Sequence, residues 1–148
     1  MTQGRLHAYQ VLLRVAQVRE IRASLALVEA STEERAHRTH RDEIAIARDA
    51  VTAASRVSAT DTSSLDLARY EMLSNLDATL AQKLHSASQA LASAEKSCQE
   101  RANASIVAKR YRERMDEHVK ETNNTMEQKR SASRQEEAIE LWLEGRAS

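Results

Sequence analysis

Proline and phenylalanine are absent from this 148-residue chain, and glycine occurs only twice, as Gly4 and Gly145. From Arg5 to Glu144 nothing therefore punctuates the backbone, and no glycine-rich loop is available to cradle phosphate. Aromatic residues make up 3%, too few to fill a globular core of ordinary thickness. Cys98 stands alone, which excludes an internal disulfide and fits a reducing compartment. Neither sign of charge is in surplus: 22 basic residues balance 22 acidic ones, unlike a dedicated nucleic-acid protein, which needs extra positive charge to displace counterions. No apolar run approaches the ~18 residues of a membrane span. The N-terminal run is broken by Arg14, so a cleaved signal is not expected, and a cytoplasmic location is.

What the chain does have is helix-forming residues. Alanine, leucine, glutamate, arginine and glutamine lose little side-chain freedom in a helix. A 41% hydrophobic fraction rich in alanine suits thin seams between long helices. The pattern predicts a first helix over about residues 5–55, with Val18, Ile21, Leu25 and Val28 as its seam. The seam weakens through "EASTEERAHRTHRDE" and returns at Ile44, Ala47, Val51 and Ala54, either by a skip or across a looser patch. Serine, threonine and aspartate then predict a turn at about 57–63, with Ser63 and Asp66 as a capping box. A second helix is expected over about 64–143. Leu73, Leu80, Ala87 and Ala94 form one of its rows, Leu84, Leu91 and Cys98 the other, with Met115 and Val119 extending the seam.

The expected fold is all-α: one domain, a long antiparallel two-helix coiled-coil hairpin with an overhanging C-terminal helix. A turn centred near residue 60 places Leu6 near Met115 and Leu25 near Glu95. Everything from Asp116 onward then lacks a partner. At ~1.5 Å per residue, the paired part measures about 80 Å and the overhang roughly 40 Å. The overhang is polar until Ile139, Leu141, Trp142 and Leu143 arrive together. Charge is polarised too. Arg5, Arg14, Arg19 and Arg22 outweigh Glu20, and Arg101, Lys109, Arg110, Arg112 and Arg114 outweigh Glu113, so folding back makes a basic collar at the open end. Near the turn, Asp61, Asp66, Glu71 and Asp77 outweigh Arg69.

The search for reactive chemistry returns little. His37 and His40, with His85 nearly opposite, offer three imidazoles for zinc; without HExxH, CxxC or a fixed carboxylate partner, solvated histidines explain them as well. Cys98 falls among seam leucines, where a small buried thiol is the ordinary reading. "AKRYRER" looks like a nucleic-acid basic region, but nearby acids make it a solvated face. No enzyme, cofactor or metal is expected. Ile139, Trp142 and Leu143 share a helical face, and a tail without a hinge folds back poorly on its own helices, which points to a partner or to self-association.

An uneven two-helix hairpin with "LDLARYEML" after its turn and "EEAIELWLEGR" at its end resembles the central stalk proteins of type III secretion. These are called YscO or HrpO in injectisomes and FliJ in flagella, and they are similar to the coiled coil of the rotary ATP synthase gamma subunit. The resemblance covers about residues 5 to 143 and carries over no invariant motif. It implies a stalk standing in the pore of the hexameric secretion ATPase, promoting its activity and reaching the export-gate membrane protein, with secretion chaperones as further partners. Charge balance and the lack of a long apolar run argue, separately, against nucleic acid as a partner and against membrane insertion. On the ATPase side the resemblance suggests Arg5, Arg14, Arg19, Lys109, Arg110, Arg112, Arg114, Ile139, Trp142 and Leu143; on the gate side, Leu67, Tyr70 and Leu73. The other expectation is a generic coiled-coil scaffold or secretion chaperone.

Overall fold

The computed structural model describes residues 2–60 and 67–147. It shows an all-α protein: α1 (Thr2–Thr60) and α2 (Leu67–Ala147) pack antiparallel as a helical hairpin. The α1 helix outruns its predicted span at both ends, and α2 outruns its own at the C-terminal end. The α1 helix continues through Ser58, Ala59 and Thr60, and the Thr60 hydroxyl donates back to the carbonyls of Arg56 (3.0 Å) and Val57 (3.2 Å), so it is satisfied within the helix. The rest of the expected turn, including the Ser63–Asp66 capping box, lies outside the described residues. Beyond it, α2 passes through Gly145 with no residue at positive φ anywhere among the described residues.

The chain forms two compact units. In the first, residues up to Ser24 pair with residues from Ala104 onward. Its centre is Ala16, fully buried, with Met115 also buried. Arg112 Nε donates to Glu20 Oε2 at 2.7 Å, and the rings of Tyr9 and His118 stack with centroids 4.9 Å apart. In the second unit, Leu25–Asn103, the core consists of Ala30, Ile44, Leu73, Ala87 and Leu91. Arg38 bridges Glu34 on its own helix (2.7 Å) and Glu95 on the other (3.3 Å), and Arg48 reaches Asp77 at 3.2 Å. Ion pairs this exposed contribute little stability, but they mark which residues lie opposite.

These contacts correct the pairing expected from a turn at residue 60. Arg38, not Leu25, meets Glu95, and Glu20 meets Arg112, about a dozen residues further along α2 than expected. The helix ends account for part of this: with α1 ending at Thr60 and α2 starting at Leu67, partners move about seven residues along α2. Thr2 consequently lies beside Lys129 and Arg130. Unpartnered helix begins near Ser131, not Asp116.

The seam of α1 also differs from the expectation. Its less exposed positions recur at alternating three and four residues without a gap: Leu6, Tyr9, Leu13, Ala16, Glu20, Ala23, Leu27, Ala30, Glu34, His37, Arg41, Ile44, Arg48 and Val51. Spacing is continuous through the polar stretch, so Glu34, His37 and Arg41 form a looser patch and there is no skip. Val18, Ile21, Leu25 and Val28, expected to be the seam, lie on the opposite face, and Leu25 is 59% exposed. The first 28 residues carry two apolar heptad rows. The packed row is Leu6, Tyr9, Leu13, Ala16, Glu20, Ala23 and Leu27, the one that brings Glu20 to Arg112. The two α2 rows expected from sequence are the ones found, with Leu73, Ala87 and Leu91 buried and Leu80, Leu84, Ala94 and Cys98 half-buried. Met115 and Val119 continue that seam.

Candidate interaction surfaces

At the open end of the first unit, α1 and α2 leave a shallow groove lined by Thr2, Arg5, Tyr9, His118, Thr122 and Lys129. The Tyr9–His118 stack, 11° from coplanar, forms part of its floor. Sequence reasoning missed this pair, because neither residue stands out until the pairing of the helices is known. Of the basic residues proposed from sequence, Arg5, Arg14, Arg19, Lys109, Arg110 and Arg114 are exposed. Arg112 is half-buried and committed to Glu20, whose carboxyl it holds below the usual carboxylate range by hydrogen bond and charge. The same pairing raises the Arg112 guanidinium further, so both groups stay ionised. Arg112 is therefore engaged inside the unit, while the other six cations face solvent.

Beyond Arg130, α2 continues as a single exposed helix to Ala147. Ile139, Leu141, Trp142 and Leu143 are all more than half exposed, Trp142 at 61%. The Arg146 guanidinium lies over the indole, 4.8 Å from its centroid. That contact shields one ring face from water without burying it. Four glutamates (Glu136, Glu137, Glu140, Glu144) surround the patch against Arg146 alone from residue 135 on, so the tail is acidic where the body beside it is basic.

A third surface is the exposed row of α1. Within the first unit it comprises Val11, Leu12, Val15, Val18 and Ile21, flanked by Arg14, Arg19 and Arg22. In the second unit, Val57, Leu67, Tyr70, Met72 and Leu76 are exposed near the helix ends. Leu67 and Tyr70 thus stand free on the surface, with Tyr70 at the edge of a small groove beside Asp77. Leu73, suggested as a gate contact, is 7% exposed: its heptad position puts it in the core. Met72 and Leu76 were not singled out from sequence, because a helix turned by 100° per residue gives them no separate pattern.

Reactive chemistry is sparse among the described residues. A groove contains His37 and His40 but not His85, and no set of three histidine, cysteine or acidic side chains is placed to hold a metal. Cys98 is half-buried beside Glu34, whose hydrogen bond raises the thiol above its ordinary range, with desolvation adding to the shift. A thiol held protonated is a poor nucleophile. Among the described residues no helix is long and apolar enough to cross a membrane. No family model, curated protein or solved structure matches the chain.

Proposed function

We propose that this protein is a cytoplasmic central stalk and adaptor of a type III secretion system, docking in the hexameric secretion ATPase, promoting its activity and linking it to the export gate. On this reading it has no catalysis of its own and acts through surfaces. The observation that carries the proposal is the bare α2 tail. A helix exposed on every side, ending in Ile139, Trp142 and Leu143, has the form of a segment made to be gripped by another protein. Six free cations lie on the body beside it, a complement for an acidic inner surface of a ring. The resemblance to the stalk family in architecture and in "EEAIELWLEGR" supplies the identity of the ring. Leu67 and Tyr70 are the residues offered towards the gate.

The exposed α1 row favours a second reading, a scaffold or secretion chaperone that binds helices along that face. Hydrolysis by the cognate secretion ATPase separates the two. The stalk reading expects stimulation by the full chain that is lost in a version ending at Gln135 and weakened by Arg110→Glu with Arg114→Glu. Arg112 is left out of the charge reversal because its loss would disturb Glu20. No stimulation of an active ATPase would favour the scaffold.

A further inference from the structure

The open end of the first unit carries two unsatisfied surfaces that match. One is the α1 row Val11, Val15, Val18 and Ile21, on the face turned away from α2 and flanked by Arg14, Arg19 and Arg22. The other is the tail patch Ile139–Leu143 in its acidic setting. Opposite charges around two apolar strips bring the strips together and disfavour like pairing of either with itself.

The lengths agree as well. Arg130 marks the level at which α1 begins, since it lies beside Thr2. Ile139 to Leu143 lie nine to thirteen residues past Arg130, and Val11 to Val15 lie nine to thirteen residues past Thr2. The tail cannot reach the row of its own chain: it is straight helix leading away from α1, with no proline and no glycine before Gly145. A second copy, turned end for end so that the two α1 starts meet, puts its row alongside the first copy's tail. Residue 139 then falls level with 11 and residue 143 with 15, parallel in direction, and Glu140 and Glu144 come within a turn of Arg14. Because the row lies on the side of α1 opposite α2, the same two-fold rotation seats the second tail on the first row. The contact closes on itself in two equal halves.

We propose that the protein forms a two-fold dimer through its open ends, the acidic C-terminal helix of each copy lying on the Val11–Val18 part of the row of the other. The arrangement goes beyond the secretion reading and does not depend on it. It does limit that reading, because a tail seated on a second copy is withheld from any ring.

Sedimentation velocity of the full chain alone, over a wide concentration range, tests the proposal. The wild type is expected to dimerise. Val15→Glu and Leu143→Glu are each expected to weaken association by more than about tenfold while circular dichroism stays unchanged, both side chains being exposed. Mixing those two variants should restore part of the association, since one of the two contacts is then intact. Trp142, the only tryptophan, should shift its emission to shorter wavelength as the wild type dimerises and should not shift in Val15→Glu. A monomer at all concentrations would overturn the proposal. So would a dimer that survives truncation at Gln135, which would place the row against another row, or a mixture that fails to associate. No ATPase is present, so failure here leaves the stalk reading standing, and failure of the ATPase assay leaves the dimer standing.

Discussion

Arg112 and Glu20, ninety-two residues apart in sequence, meet at 2.7 Å between two helices whose seam is otherwise mostly alanine, leucine and methionine. Each side chain is about three-quarters shielded from solvent, and the guanidinium makes a second contact at 3.4 Å. Removing one partner should therefore harm more than removing both, since a shielded charge left alone is penalised. Thermal melts of Arg112→Met, Glu20→Gln and the double variant check this: the double should melt above the less stable single.

The same pair sets a pH dependence. The Glu20 carboxyl is lowered from its ordinary 4.5 by Arg112, with Lys109 assisting. A group depressed in the folded state stabilises above its unfolded value and loses that contribution as pH falls through the folded value. The gap in melting temperature between wild type and Glu20→Gln should be constant near neutrality and narrow only below about pH 4.5. A gap that persists at lower pH would assign the effect to packing.

Leu91, 4% exposed, is the most buried large side chain of the second unit. Leu91→Ala should destabilise by about 2–3 kcal/mol through lost transfer energy and a partly collapsed cavity. Ile46, fully on the outside, should tolerate Ile46→Ser within about 0.5 kcal/mol. Urea denaturation of the two variants measures the contrast between faces.

Tyr9 and His118 bury little area, so their stack is tested more cleanly by a double-mutant cycle than by one substitution. Tyr9→Leu and His118→Gln should couple by about 1 kcal/mol. Additive effects would mean the rings merely lie close.

Cys98 should react slowly with a disulfide reagent at pH 8, because its thiol is raised above 9.0 by Glu34 and by desolvation. Glu34→Gln removes the carboxylate and should speed the reaction by enlarging the thiolate fraction.

The helical class, the hairpin and the α2 seam were legible because proline is absent and the leucine–alanine rows of α2 repeat without a rival. The α1 seam was not, because two apolar heptads run through its first 28 residues, and periodicity cannot rank a valine row against a leucine–alanine row. Only the partner decides: Glu20 belongs to the leucine–alanine face and meets Arg112. The pairing was misjudged because Ser58, Ala59 and Thr60 look like a turn, yet they are helical, with the Thr60 hydroxyl bonded back to Arg56 and Val57. Tail exposure was legible from composition alone. Its starting point was not, since it inherits the error in pairing. Leu73 was placed in its row correctly, but its burial makes it core instead of contact.

The heptad spacing of the seam has one more implication. Leucines and alanines recurring every seven residues mean that one helix shifted past the other by one heptad would still meet apolar side chains. The cross-helix links disfavour that slide. In the second unit Arg38 is fastened to Glu95 and Arg48 to Asp77, links whose members are fifty-seven and twenty-nine positions apart, and in the first unit Arg112 is fastened to Glu20. A one-heptad slip breaks each of them, and sets the Glu20 carboxylate opposite Ser105 or Val119 instead of Arg112. Charges that add little strength thus act as a ratchet, choosing one alignment among several that greasy contact alone would accept.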